Sequence, residues 1–129
     1  MMSITRGVCT SLLVASALFL PQLAHAQDAK TLTGDEIRAL FSGNEMTATN
    51  SRGQKFTEQY KADGTFEATS TRTDGSCCLT DDGKWSVEDN RFCRQYSNWR
   101  DGRKTCGRIL KGPDGYVTQS GLKMKFKRE

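Results

Sequence analysis

Near the C-terminus, Leu122, Met124 and Phe126 alternate with Lys123, Lys125 and Lys127. This period of two puts three apolar side chains on one face of a strand and three lysines on the other. Trp85 and Val87 alternate in the same way with Lys84, Ser86 and Glu88. Further strands, some with imperfect alternation, are predicted over residues 46–50, 55–60, 65–72, 92–98, 104–110 and 116–119, about eight in all. Asp-Gly pairs at 63–64, 74–75, 82–83, 101–102 and 114–115, with Asp89-Asn90 in the longest gap, punctuate these segments every 7 to 13 residues. Asp-Gly suits tight hairpins, and turns at this interval mark an all-β sandwich or barrel. Ahead of the strands, Thr33-x-x-Glu36 is a capping box, Ile37, Leu40 and Phe41 share a face, and Gly43 sits where a C-cap glycine belongs, which predicts a helix of about two turns. Its apolar face needs a barrel end or a sheet edge to cover. Residues 27–32 read as a loose lead. The predicted architecture is mainly β: a small antiparallel β-barrel or closed sandwich of about eight strands with one short N-terminal helix.

The first 26 residues read as a secretory signal peptide. Arg6 is its positive end, residues 11–20 are apolar or small, Pro21 breaks the run, and Ala24-His25-Ala26 offers a small-x-small cleavage site. The run is too short to span a membrane, and Cys9 precedes it, where a lipoprotein cysteine would follow it. The sequence therefore predicts a periplasmic or secreted chain, with residues 27–129 as one disulfide-stabilised β domain. His25 is the only histidine and leaves with the leader. That removes Ser-His-Asp and Cys-His nucleophiles, histidine bases and His-containing zinc sites from the mature chain. With no recognisable catalytic motif, the domain is read as non-enzymatic, with no cofactor and no metal.

Residues 27–129 hold only 14 Leu, Ile, Val and Phe, and their 18 basic and 15 acidic side chains leave a net charge of +3. Two tryptophans and three tyrosines add bulk, so a folded domain with a thin core is expected. Cys77, Cys78, Cys93 and Cys106 remain, an even number that suits two disulfides in an oxidising compartment. A turn at residues 100–103 favours Cys93 with Cys106, leaving Cys77 and Cys78 bonded to each other or as thiols; crossed bridges to Cys93 stay open. The adjacent pair in a Gly75-Ser76 loop suits a scaffold role first, and reversible redox or soft-metal binding second.

Adjacent carboxylates at 81–82 and 88–89 lie beside turns and point to opposite faces. Glu58 shares a face with Phe56 and Tyr60, and Glu67 sits between Phe66 and Ala68. Either one, turned into a barrel, needs a partner such as Arg94, as an ion pair or as a polar anchor for a ligand. Charge is unevenly spread: residues 27–90 carry 7 basic and 12 acidic groups, residues 91–129 carry 11 and 3. Arg100, Arg103, Lys104, Arg108, Lys123, Lys125 and Lys127 are candidates for one basic surface facing an anionic partner. The competing reading is that the lysines guard an edge strand.

The order of Leu32-Thr33-Gly34-Asp35-Glu36-Ile37, Ser42-Gly43-Asn44, Ala62-Asp63-Gly64-Thr65, Gly83-Lys84-Trp85-Ser86-Val87, Arg91-Phe92-Cys93 and Cys106 resembles a family of small exported alphaproteobacterial proteins of unknown function with lipocalin-like architecture. The resemblance implies that fold, export and a Cys93–Cys106 bridge; it brings no catalytic residues, and Cys77-Cys78 departs from it. Ser120-Gly121 and the chain length are similar to periplasmic lysozyme inhibitors. The functional expectation is an exported binding or interaction module of the cell envelope, engaging an unknown anionic component, a protein or a small ligand. Nucleic acid fits the charge but not the address. The alternatives are a thiol redox or metal-handling protein acting through Cys77 and Cys78, and an inhibitor of lysozyme or another hydrolase.

Overall fold

The Thr33 hydroxyl accepts from the Glu36 backbone N–H at 3.2 Å, and the capping box opens helix α1, Gly34–Phe41. Ser42 closes it and Gly43 follows with a left-handed φ of 67°, the conformation glycine adopts without a Cβ penalty. The computed structural model describes residues 29–129; the leader predicted over 1–26 lies outside them.

Ten strands follow the chain as β1 (Lys30–Thr31), β2 (Asn44–Thr49), β3 (Lys55–Tyr60), β4 (Thr65–Ser70), β5 (Leu79–Glu88), β6 (Arg91–Tyr96), β7 (Lys104–Gly107), β8 (Ile109–Gly112), β9 (Gly115–Thr118) and β10 (Lys123–Phe126). All pairings are antiparallel, in the order β1-β8-β9-β10-β2-β3-β4-β5-β6-β7. The sheet curls strongly into a half-barrel and stays open, with β1 and β7 as its hydrogen-bonded ends. The two strands beyond the predicted eight have plain origins. The segment 104–110 divides at Arg108 into β7 and β8, which pair at opposite ends of the sheet. Arg108 is tied instead to Gln119, whose side-chain oxygen accepts from its N–H at 3.2 Å and whose own N–H donates to its carbonyl at 3.0 Å. Of the lead predicted over 27–32, residues 27 and 28 lie outside the described residues, and its end is not loose: Lys30 and Thr31 pair with Lys111 and Leu110, and Leu32, buried, donates from its N–H to the Ile109 carbonyl.

A second difference concerns Asp82-Gly83, which reads as a turn and lies inside the ten-residue β5. Gly83 is there for space. The Phe66 ring of β4 crosses its α-carbon, and a Cβ on it would lie 2.7 Å from that ring and against the Gln95 carbonyl. We expect Gly83→Ala to cost about 1–3 kcal/mol through overpacking, measured as a lowered urea midpoint at unchanged slope. A neutral result would mean that Phe66 does not cover β5.

The helix lies against β2, β5 and β6 and places Phe41 among four rings. Its ring stacks on Phe92 at 4.1 Å, meets Tyr60 and Phe126 edge-on at 4.9 Å, and lies 6.2 Å from Trp85. One end of the curled sheet is therefore filled by aromatic side chains, and the other is left for solvent. At the β7 edge, Cys93 and Cys106 are directly opposed across β6 and β7 and joined by a disulfide. Closing 13 residues of chain stabilises by about 3 kcal/mol in the loop-entropy account.

Candidate functional site

Alternation along β3 and β6 turns Phe56, Glu58 and Tyr60, and Phe92, Arg94 and Tyr96, into the concave side. The two strands are separated by β4 and β5 in the sheet, so their inward side chains meet across the interior. Glu58 is wholly buried. Its carboxylate accepts from Arg94 Nη1 at 2.8 Å and from the hydroxyls of Tyr60 and Tyr96. Water lost by a buried carboxylate has to be replaced by such donors. Burial above all, and then the Glu58 charge, push the Tyr60 hydroxyl well above the usual tyrosine range. Tyr96 is raised by burial, with Arg94 opposing and Glu58 adding to the rise. Burial alone would lower Arg94, but the Glu58 charge outweighs it and the guanidinium stays protonated.

These shifts set an alkaline limit. Below pH 10, tyrosine is protonated in the folded and unfolded chain alike; above it the unfolded chain loses protons that the folded one keeps, so stability falls as pH rises. Tyr60 and Tyr96 should ionise together with global unfolding, seen as tyrosinate absorbance tracking the loss of circular dichroism. Ionisation of both before unfolding would contradict the buried network.

Glu67 takes no part. The register that sends Phe66 and Ala68 inward sends Glu67 to the surface, where it pairs with Lys61 at 3.1 Å. Of the three polar anchor candidates, the fold unites Glu58 and Arg94 and leaves Glu67 outside.

Beyond this network lies a cleft of about 1300 Å³ at the end opposite α1. Arg94, Tyr96, Phe56, Trp99 and Leu122 form part of its wall. Its cations are Lys55, Arg94, Arg100, Lys123 and Lys125, and among the described residues no carboxylate lines it. Consecutive residues Thr47 and Ala48, and Lys55 and Phe56, both border it. Strand neighbours point to opposite faces, so the cleft runs over the rim of the β2–β3 hairpin and is open rather than a sealed chamber.

The wall at Trp99 is held by Asp81, whose carboxylate accepts from the Asn98 and Trp99 N–H groups at 3.0 and 2.8 Å. Burial opposes ionisation there, but those backbone donors hold Asp81 below the usual carboxylate range. The turn continues through Arg100 and Asp101, both left-handed at φ 55° and 56°. It places the Trp99 ring 5.3 Å from Tyr96, with the Arg94 and Arg100 guanidinium carbons 5.2 and 5.9 Å from the Tyr96 ring centre.

The seven basic candidates separate. Arg100, Lys123 and Lys125 border the cleft, joined there by Lys55 and Arg94. Arg103, Lys104, Arg108 and Lys127 do not; Lys104 pairs with Glu88, and Arg103 folds back on the Arg100 carbonyl at 3.3 Å. Lys55 is not marked by the sequence because its half of the chain is acidic; the pairing of β2 with both β3 and β10 brings it to the same cleft as Lys123 and Lys125. Cys77 and Cys78 lie in the β4–β5 loop with their sulfurs together, next to Leu79 on the cleft. Cys93 is taken by Cys106, so neither crossed bridge forms. Glu88, Cys93 and Cys106 cluster, but both sulfurs are in that disulfide and offer no thiolate to a metal. Ser120-Gly121 is the β9–β10 turn and also borders the cleft. Comparison with protein-family models, with curated proteins and with solved structures finds no match for this chain.

Proposed function

We propose that this chain is a non-enzymatic binding module that engages an anionic partner across the open mouth of its curled sheet. The observation that carries the reading is the one-signed cleft: among the described residues five cations, one of them Arg94 paired with Glu58 behind it, and no carboxylate line it, in a chain that is nearly balanced overall. Low-dielectric walls beside charges of one sign focus the field and raise the local concentration of anions. The test is a charge-reversal comparison with polyphosphate as the probe. Reversing Arg100, Lys123 and Lys125 should weaken binding about tenfold or more at low salt, and the same reversal at Arg103, Arg108 and Lys127 should not. Equal losses from both sets would mean that net charge, and not this cleft, attracts the anion. The periplasmic or extracellular address rests on the 1–26 leader, and osmotic-shock fractionation checks it.

A second reading, thiol redox chemistry, is favoured by one observation. Cys77 and Cys78 are adjacent, so a bond between them closes no loop of chain and gains nothing from loop entropy. Alkylation and intact mass separate the readings. Cysteines that cycle under mild reductant while Cys93–Cys106 stays closed would favour redox chemistry.

A further inference from the structure

Resting on the reading of the cleft as an anion-binding mouth, we infer that its partner is an acidic saccharide with one sugar carboxylate seated on Arg94. Arg94 carries five N–H donors. Nη1 is engaged by Glu58 at 2.8 Å, and the Tyr60 hydroxyl lies against the same guanidinium. The side chain keeps 11% of its surface exposed, and it borders the cleft. Glu58 on one edge and the Tyr96 ring 5.2 Å from the guanidinium carbon hold the side chain in place. A planar fork fixed in this way matches the two oxygens of a carboxylate. Glu58 cancels much of the Arg94 charge, so this position selects by hydrogen-bond geometry while the rim lysines supply attraction.

The surroundings choose among carboxylates. Half-buried Trp99, its ring 5.3 Å from buried Tyr96, presents aromatic surface on the cleft wall, suited to the C–H face of a pyranose, which is apolar on one side and hydroxylated at its edge. Asn50 and Ser70 add amide and hydroxyl groups to the lining, and Thr47 and Thr49 add hydroxyls on the outer face beyond the rim. Sugar hydroxyls can pair with these; an acyl chain would cover them without replacing their water, at a cost. The opening over the β2–β3 rim leaves room for a chain to continue outward. Lys123 and Lys125, two residues apart and so about 7 Å along the strand, lie where the acids of neighbouring sugars would pass.

The test is titration of the full mature chain, followed by tryptophan fluorescence and amide chemical shifts. The probes are trigalacturonate, neutral trigalactose, octanoate, polyglutamate and inorganic sulfate. We expect saturable binding of trigalacturonate, with trigalactose and sulfate about tenfold weaker or more. Arg94→Lys, which keeps the charge and loses the fork, should weaken trigalacturonate about tenfold. Trp99→Ala, which leaves the Glu58 network intact, should weaken trigalacturonate and leave polyglutamate unchanged. Octanoate or polyglutamate binding as tightly as trigalacturonate overturns the saccharide inference and leaves the anion-binding reading standing. No binding of any anion to the cleft overturns both.

Discussion

Glu58→Ala should destabilise the domain by about 3–5 kcal/mol, the usual consequence of leaving one member of a buried ion pair without the other. The variant strands the Arg94 guanidinium, whose side chain is only 11% exposed, and leaves the Tyr60 and Tyr96 hydroxyls without their acceptor. Removing a single hydroxyl, as in Tyr60→Phe or Tyr96→Phe, should cost less, about 1–3 kcal/mol, because the other donors to Glu58 remain. Glu58→Leu combined with Arg94→Met should recover most of the loss, since a well-packed apolar pair removes both desolvation penalties. Urea denaturation of the four variants measures this. The double variant also separates scaffold from site: it should fold and lose trigalacturonate binding. A Glu58→Ala protein as stable as the parent would mean that water reaches the carboxylate and the network is not buried.

Phe41→Ala should cost a comparable amount, about 3–5 kcal/mol. Its side chain is wholly buried, and its ring is the one common neighbour of Tyr60, Trp85, Phe92 and Phe126. Eight residues make too short a helix to persist without tertiary contacts, so the deletion should also loosen α1 from the sheet. Hydrogen exchange reads this directly: amides of residues 37–42 should lose protection before those of β3 to β6. A uniform loss of protection across the domain would show that helix and sheet unfold as one unit.

How much of this was legible beforehand can be judged residue by residue. The capping box at Thr33 and Glu36, the alternation of β10 and the opposed Cys93 and Cys106 all depend on near neighbours in sequence, where propensity and periodicity carry information. Glu58 and Arg94 were marked by lying between aromatic residues on alternating strands, since a charge at an inward position demands a partner. Alternation also separates Glu58 from Glu67, since Glu58 shares the face of Phe56 and Tyr60 whereas Glu67 lies on the face opposite Phe66 and Ala68. Asp82-Gly83 misled because glycine serves turns and close ring approaches equally, and only the Phe66 ring tells them apart. The open sheet, the division at Arg108 and the recruitment of Lys55 to the cleft follow from long-range pairing, which has no signature in a short window. Asn44 was passed over for the same reason. Its side-chain oxygen accepts from the Arg128 N–H at 3.0 Å, and its amide donates to the Leu40 carbonyl at 2.8 Å, so one asparagine ties the helix end to the residues that follow the last strand.

The pairing of β1 with β8 also governs the order in which the molecule can be made. Lys30 meets Lys111 across 81 residues of sequence, whereas β2 to β7 are built from successive hairpins with nearest neighbours in the chain. The hairpins can form as the polypeptide emerges, but the first strand has no partner until the last quarter of the chain is present. Closing so long a loop carries an entropic penalty and slows folding. The chain should therefore hold a nearly finished meander while β1 still waits for β8.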